Sequence, residues 1–354
     1  MTTWDKSKKM NTVDKFLDSS RIGSHCASTA IMNVCRYYGI DISEDFCFGV
    51  GQGLGFSFYK DENMDMYSFS GRSRDVVRNF FDNIGAEVFF GYSMEGEEVW
   101  KQLCFYIKEL GHPVIVKLDM DSMAYLKERF NYVYKIQQSE HLAVVTDIGD
   151  DYALLSEYYD KAPVRITKEE LLRGMSEAFE EKACNNVFYV VTSAPHYIDY
   201  KKTAIMAMEN NVRLFKYGFG SNMGLPGLKS FNKNLAMWRQ TKEEDFFCRI
   251  LRMSYFSFEK IGTGGGNFRR MYTRFLNECA EFFSDAAFTE ASDLYAKLAN
   301  EWKTYSSLAI EYCNSVSGKD EIWNSIENHL NSIVAMEEYA IDFVWRIIQN
   351  YGRK

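Results

Sequence analysis

Ser24-His25-Cys26-Ala27-Ser28-Thr29-Ala30-Ile31-Met32-Asn33-Val34-Cys35-Arg36-Tyr37-Tyr38-Gly39 is the stretch from which the fold is read. Ala27, Ala30, Ile31, Val34, Cys35 and Tyr38 follow the i, i+3, i+4, i+7 spacing of one buried face, which predicts a helix over 27–38 ending at Gly39. Ser24 stands where an N-cap belongs, placing Cys26 in the first turn. Unsatisfied backbone N–H groups and the positive end of the helix dipole favour a thiolate there, and His25 beside it can add to that field. A core cysteine at a helix start would read the same way, so position alone makes Cys26 a candidate nucleophile and no more.

Working outward, short apolar runs over 86–90, 113–118, 141–148, 152–157 and 187–192 have strand length and end at Gly, Asp or Pro. Helices are predicted over 74–83 behind Ser73, over 97–110, and from the capping box Thr167-Lys168-Glu169-Glu170. Gly149-Asp150-Asp151 between two strands is a hairpin turn. This half reads as α+β with a mainly antiparallel sheet. Ser193-Ala194-Pro195 ends it, and beyond lie long amphipathic segments at 199–216, 231–259, 268–284, 287–313 and 319–350, broken by glycine at 217–227 and 262–266. Two domains are expected, 1–195 and an all-α domain over 196–354.

Composition agrees with a folded two-core chain. Aromatics make up 16% of 354 residues, too many for disorder, and four prolines exclude a collagen-like or linker protein. No run approaches the length that spans a bilayer, and Met1-Thr2-Thr3-Trp4-Asp5-Lys6 lacks a signal-peptide layout, so a cytoplasmic protein without a membrane partner is expected. A formal net charge of −8 argues against nucleic acid as a partner. The eight cysteines are scattered, with no CxxC and no Cys/His cluster, so no metal site is expected and the default state is reduced, buried thiols.

A thiolate nucleophile needs a base, and the base needs an orienting group. His141, Ala143, Val145 and Asp147 share one strand face. With a three-residue turn at 149–151, Ala143 faces Glu157, so His141 and Glu157 are diagonal neighbours; a two-residue turn would send Glu157 to the other face. Asp147 is the alternative orienting acid. Gly49–Gly55 is too irregular for a dinucleotide fingerprint, and Gly53, Gly55 and Phe56 are read as lining an acyl channel, with a tight turn as the bland alternative. Gly264 and Gly265, leading into a helix from Asn267 with Arg269 in its first turn, can bind an anion or simply pack two helices closely.

Taken together, the motifs SHCASTA at 24–30, Asn33, RYYG at 36–39, Ser43-Glu44, GVGQGLGF at 49–56 and Gly71-Arg72 resemble the butirosin biosynthesis protein H family. IGTGGGNFR at 261–269, with Tyr272 and Phe275-Leu276, is similar to the helical domain that often follows it. The resemblance implies a papain-like cysteine fold and a cysteine acyltransferase of natural-product (antibiotic) biosynthesis. Such an enzyme takes an acyl group from an acyl carrier protein as a phosphopantetheine thioester and delivers it to a small-molecule amine, or to a nucleophile within the same acyl chain. It implies Cys26, His141 and Glu157 as catalytic residues, with Glu157 where Asp is usual. Ser20 replaces the oxyanion Gln of related leader peptidases, which leaves backbone donors for the oxyanion and weighs against peptidase activity. His25, Gly53, Gly55, Phe56, Gly264, Gly265, Asn267 and Arg269 are the expected substrate-binding residues, the last group suiting the phosphate of the arm. No bound cofactor is expected, and a homodimer is allowed for. The alternatives are a thioesterase or peptidase-like hydrolase and a non-catalytic binding module.

Overall fold

The computed structural model describes residues 12–61, 66–73, 75–92, 95–129, 140–176, 184–218, 220–260 and 262–351. Met1–Lys6, Arg74 and Ile261, named above, lie outside the described residues. In chain order the elements are α1 (Thr12–Ser19), α2 (Cys26–Tyr37), α3 (Glu44–Val50), β1 (Leu54–Asp61), β2 (Met66–Arg72), α4 (Val76–Ile84), β3 (Glu87–Gly91), α5 (Gly96–Cys104), β4 (Val114–Asp119), α6 (Ala124–Arg129), β5 (Glu140–Ile148), β6 (Tyr152–Ser156), β7 (Val164–Thr167), α7 (Lys168–Ser176), β8 (Phe188–Ser193), α8 (Tyr200–Tyr217), α9 (Gly224–Thr241), α10 (Glu244–Tyr255), α11 (Arg269–Phe283), α12 (Ala286–Asn314) and α13 (Lys319–Tyr351). The N-terminal region is thus α+β with antiparallel sheets, and α8–α13 are helical.

Two compact units divide the chain. The first holds the described residues up to Glu44 together with Gly85–His196; the second holds Asp45–Ile84 together with the described residues from Tyr197 onward. Residues 45–84, which read in sequence as part of the N-terminal half, therefore group with the helices.

The first unit is built on a sheet of order β3-β8-β4-β5-β6-β7 with every neighbouring pair antiparallel. Val114, Val116 and Leu118 of β4 stand opposite Val145, Ala143 and His141 of β5. These apolar side chains, with Phe188 and Val190 of β8, join Val99 and Leu103 of α5 and Leu171 and Met175 of α7 in one buried cluster. Burying each large apolar side chain is worth roughly 1.5–3 kcal/mol, so this cluster holds the sheet rigid beneath the site. α1 and α2 pack against β5. The predicted capping box is made on one side, Thr167 Oγ1 accepting from the Glu170 amide at 3.1 Å.

In the second unit β1 and β2 form a hairpin, and Phe56, Phe58 and Phe69 on it pack against Phe231 of α9. The expected single segment over 231–259 is two helices. α9 ends at Thr241, Lys242 is extended (φ −104°, ψ 151°), and α10 opens at Glu244. Residues 241–245 are all polar, so nothing buries a continuing helix there. The helix behind Ser73 opens at Val76 rather than at residue 74, and the Ser73 hydroxyl donates to the Gln52 carbonyl.

Candidate active site

Register in the β5–β6 hairpin decides whether a histidine meets an acid. The loop is longer by one than the expected turn, with Ile148 paired to Ala153, Asp147 to Leu154 and the Gly149 amide donating to the Tyr152 carbonyl at 2.8 Å. Carried on unchanged, that register would set Glu157 opposite Val144 and away from His141. A β-bulge intervenes: between Val145 and Asp147 the pairing shifts, Val145 taking Leu155 and Val144 taking Ser156. Thr146, fully buried, is the extra residue, and its hydroxyl donates to the Leu154 carbonyl at 3.3 Å. Continued past Ser156, the shifted register sets Glu157 opposite Ala143, on the face of His141.

The side chains meet accordingly. His141 Nε2 lies 2.8 Å from Glu157 Oε2 and 3.0 Å from Oε1, both side chains being almost wholly buried. A side-chain hydrogen bond joins His141 to Cys26, and since Nε2 faces the carboxylate, Nδ1 is the nitrogen left for the sulfur. Burial works against the imidazolium, but the Glu157 charge and the hydrogen bonds to Cys26 and Glu157 outweigh it and raise the His141 pKa from 6.5 to about 10. Asp147 is not the orienting acid; it accepts from the Tyr152 hydroxyl at 3.4 Å. Cys26 is partly exposed. Burial instead pushes the thiols of Cys35, Cys104, Cys279 and Cys313 upward, which keeps them protonated and unreactive.

Several residues that shape the site carry no motif of their own. Glu44 accepts from the amides of Ser24 (2.9 Å) and His25 (2.7 Å), from the Ser24 hydroxyl (3.1 Å) and from the Thr29 hydroxyl (2.9 Å). This corrects the expected Ser24 cap: His25 is the N-cap residue, no side chain of its own caps the helix, and Glu44 restrains the loop that carries Cys26. Asn33 clasps the same loop by accepting from the Arg21 amide (2.8 Å) and donating to its carbonyl (3.0 Å). Ser20 is buried and its hydroxyl donates to the Leu17 carbonyl at 3.0 Å. Tyr125 donates to Glu157 Oε1 at 2.5 Å, and the Tyr158 ring lies 5.9 Å from that of His141. Glu44 stood within a quoted motif but had no assigned role, and nothing in the sequence singles out Tyr125.

The expected substrate-binding residues are placed differently. His25 is buried, with Nδ1 2.8 Å from the Ser28 hydroxyl. Gly53, Gly55, Phe56, Gly264, Gly265, Asn267 and Arg269 belong to the second unit, not to that of Cys26. Phe56 is buried against Phe231, Phe258 and Trp302, and a Cβ on Gly53 would fall 2.4 Å from the Phe48 ring, so this run packs rather than lines a channel. Gly264 and Gly265 have φ of 64° and 79°, and α11 opens at Arg269 rather than Asn267. Two of the loop amides have side-chain acceptors, Gly265 donating to Thr263 Oγ1 (2.9 Å) and Gly266 to Glu259 Oε2 (2.7 Å). Arg269 is fully buried; Nε donates to Glu337 Oε1 at 2.6 Å and Nη1 to the carbonyls of Gly55, Gly71 and Asn267. Arg269 is thus wholly enclosed, its charge paired with Glu337 inside the second unit.

Among the described residues no group of three or more His, Cys, Asp and Glu side chains is placed to hold a metal ion, and no helix is long and apolar enough to cross a membrane. No curated protein matches the chain. Residues 169–343 match a domain of unknown function, DUF4872, and residues 25–157 match the family described as Butirosin biosynthesis protein H, N-terminal, a span that begins one residue before Cys26 and ends on Glu157. The chain therefore carries a butirosin biosynthesis protein H N-terminal domain over residues 25–157, followed by a DUF4872 domain over residues 169–343.

Proposed function

We propose that this protein is a cysteine acyltransferase of antibiotic-type natural-product biosynthesis, working on an acyl group delivered as a carrier-protein thioester. The observation that carries the reading is the relay Cys26–His141–Glu157 within one unit, with the imidazole held between sulfur and carboxylate. In the first half-reaction Cys26 Sγ attacks the thioester carbonyl. A new S–C bond forms at Cys26, the donor C–S bond breaks, and the leaving thiol takes its proton from the His141 imidazolium. In the second, an acceptor amine attacks the Cys26 thioester. The C–N bond forms, the Cys26 S–C bond breaks, and the amine proton passes to His141, restoring the starting pair. Glu157 keeps the imidazole in one orientation and stabilises its charged form. Oxyanion stabilisation falls to the positive end of α2, since Ser20 spends its hydroxyl on Leu17. That position also speaks against a peptidase reading that needs a side-chain donor there.

Incubation with acyl-pantetheine thioesters or acylated carrier protein, followed by intact-mass measurement, tests the proposal. An acyl adduct that Cys26→Ala abolishes, and that amines discharge faster than water does, is the expected result. Discharge by water alone at the same rate would make the protein a thioesterase. No adduct from any donor, with Cys26 no more reactive than the remaining thiols, would leave a binding module.

A further inference from the structure

The mechanism just proposed leaves one group at the site without a task. Tyr125 sits on α6, the short helix that precedes the His141 strand in sequence, and its hydroxyl donates to Glu157 Oε1 at 2.5 Å. That oxygen is shared, since His141 Nε2 stands 3.0 Å from it and 2.8 Å from Oε2. A glutamate has three rotatable bonds, and one donor on its carboxylate leaves it free to pivot about that contact. Two donors from different elements fix its plane. The brace is itself anchored. Leu126 and Met123 are buried in the core cluster, the Ala124 amide donates to Glu170 Oε1 at 3.1 Å, and the Arg173 guanidinium donates to the Ser122 carbonyl at 3.2 Å. One turn on, the Arg129 guanidinium lies over the Tyr159 ring at 3.7 Å, so α6 grips the segment 157–159 at two points.

We infer that Tyr125 is a positioning residue for the Cys26–His141 pair, acting through Glu157 by holding its carboxylate aligned with the imidazole. This rests on the acyltransfer reading only in supposing that Cys26 is activated by His141. The charged and titratable groups facing Glu157 are His141 on β5, Tyr125 on α6, Tyr158 and Tyr159 on its own segment, and Cys26 on α2 through the imidazole; Arg129 acts on the two tyrosines and Glu170 on Tyr125. Burial and the neighbouring carboxylate both raise the Tyr125 phenol, so it stays protonated and donates throughout the useful pH range. Losing that hydrogen bond frees the carboxylate to turn away from the imidazole and weakens its support of the imidazolium.

Tyr125→Phe keeps the ring and removes only the hydroxyl, so it tests the contact without opening a cavity. The rate of iodoacetamide alkylation at Cys26, followed by peptide mass spectrometry from pH 4 to 9, gives the profile of the thiolate–imidazolium pair. The acidic limb should move up by about half to one pH unit in Tyr125→Phe, with alkylation at a fixed pH on that limb falling about three- to tenfold. Glu157→Gln should produce a larger loss, and adding Tyr125→Phe to Glu157→Gln should change nothing further, because the tyrosine has no other route to the sulfur. An unshifted profile in Tyr125→Phe, with wild-type Cys26 alkylated much faster than the other thiols, overturns the role of Tyr125 and leaves acyl transfer standing. Wild-type Cys26 reacting no faster than the others overturns both. Titration of the His141 ring by NMR in the two proteins supplies a readout that does not depend on alkylation: a lower His141 pKa in Tyr125→Phe is expected, and an identical one counts against the proposal.

Discussion

His141 holds a proton in the folded protein that it gives up in the unfolded chain, and that difference fixes the sign of a pH dependence. Its folded pKa, about 10, lies above the unfolded 6.5, so its contribution to stability is complete below 6.5 and disappears as pH rises through 10. Between those limits the unfolded state binds fewer protons, and stability should fall by up to about 1.4 kcal/mol per pH unit for this one group. The thiols of Cys35, Cys104, Cys279 and Cys313, raised from 9.0 by burial, act in the same direction above pH 9. Urea unfolding from pH 6.5 to 9 in a Cys26→Ala background, where no thiolate takes up a compensating proton on unfolding, isolates the histidine, and adding His141→Gln should flatten the slope there. A slope unchanged in that variant would mean that the imidazole is neutral in the folded state. Glu44 makes a second residue-scale case. Its carboxylate accepts from two amides and two hydroxyls around the loop before α2, so Glu44→Ala should cost about 2–3 kcal/mol and slow Cys26 alkylation by releasing that loop. A stability loss with unchanged alkylation would separate the clamp from the chemistry. Cys26 and His141 were legible because a helix start and a strand face are periodic features. Glu44 and Tyr125 were not, because each reaches its partner across sequence distance, which no local pattern records.

At the scale of elements, the strands and helices with strong periodicity fall where the sequence places them. α2, α4, β4, β5, β6 and β8 are recognisable in the predicted spans to within a few residues. β1 and β2 were hidden, since the glycines from 49 to 55 break the run in which Leu54, Phe56 and Phe58 would otherwise read as alternating. The meeting of His141 with Glu157 was anticipated, yet by a different route from the one the molecule uses. A three-residue turn would have sufficed. The longer loop puts Glu157 on the wrong face, and the bulge at Thr146 restores it. Two compensating shifts leave the same parity as none, which is why sequence spacing found the pair without finding the cause. Deleting Thr146 should therefore remove the bulge without disturbing the pairs on either side of it. The hairpin would pair in continuous register from Ile148–Ala153 through Val145–Leu155 to Ala143–Glu157, Glu157 would still face His141, and Cys26 alkylation should stay near the wild-type rate. A drop to the level of Glu157→Gln, in a protein whose circular dichroism is preserved, would show that the shortened strand slips by one residue instead.

For the molecule as a whole, the second unit is discontinuous, and its core explains why residues 45–84 belong to it. Arg269 carries a buried charge that Glu337 on α13 neutralises, while its Nη1 donates to the Gly55 and Gly71 carbonyls of the β1–β2 hairpin. Gly71 has no room for a side chain, since a Cβ there would fall 1.6 Å from Asn267 Oδ1. Asn211 donates to the Leu54 carbonyl at 2.6 Å, and the Phe58 amide donates to the Asn222 carbonyl at 3.1 Å. A helical fragment covering 197–351 would lose the Gly55, Gly71 and Leu54 acceptors, the Phe58 donor and the aromatic cover of Phe56, Phe58 and Phe69. It would leave Arg269 with Glu337 and the Asn267 carbonyl but without the Gly55 and Gly71 carbonyls, and a buried polar group deprived of partners costs about 1–3 kcal/mol, more when charged. Such a fragment should show helical circular dichroism without a cooperative thermal transition. Joining residues 45–84 to it through a flexible Gly/Ser linker should restore the transition, and a further Arg269→Met change should abolish it again unless Glu337→Leu accompanies it, because the uncompensated carboxylate and not the missing contact carries most of the penalty. A fragment from 197 that unfolds cooperatively by itself would mean that the helices alone hold the core, and that the hairpin is an addition to it rather than a part.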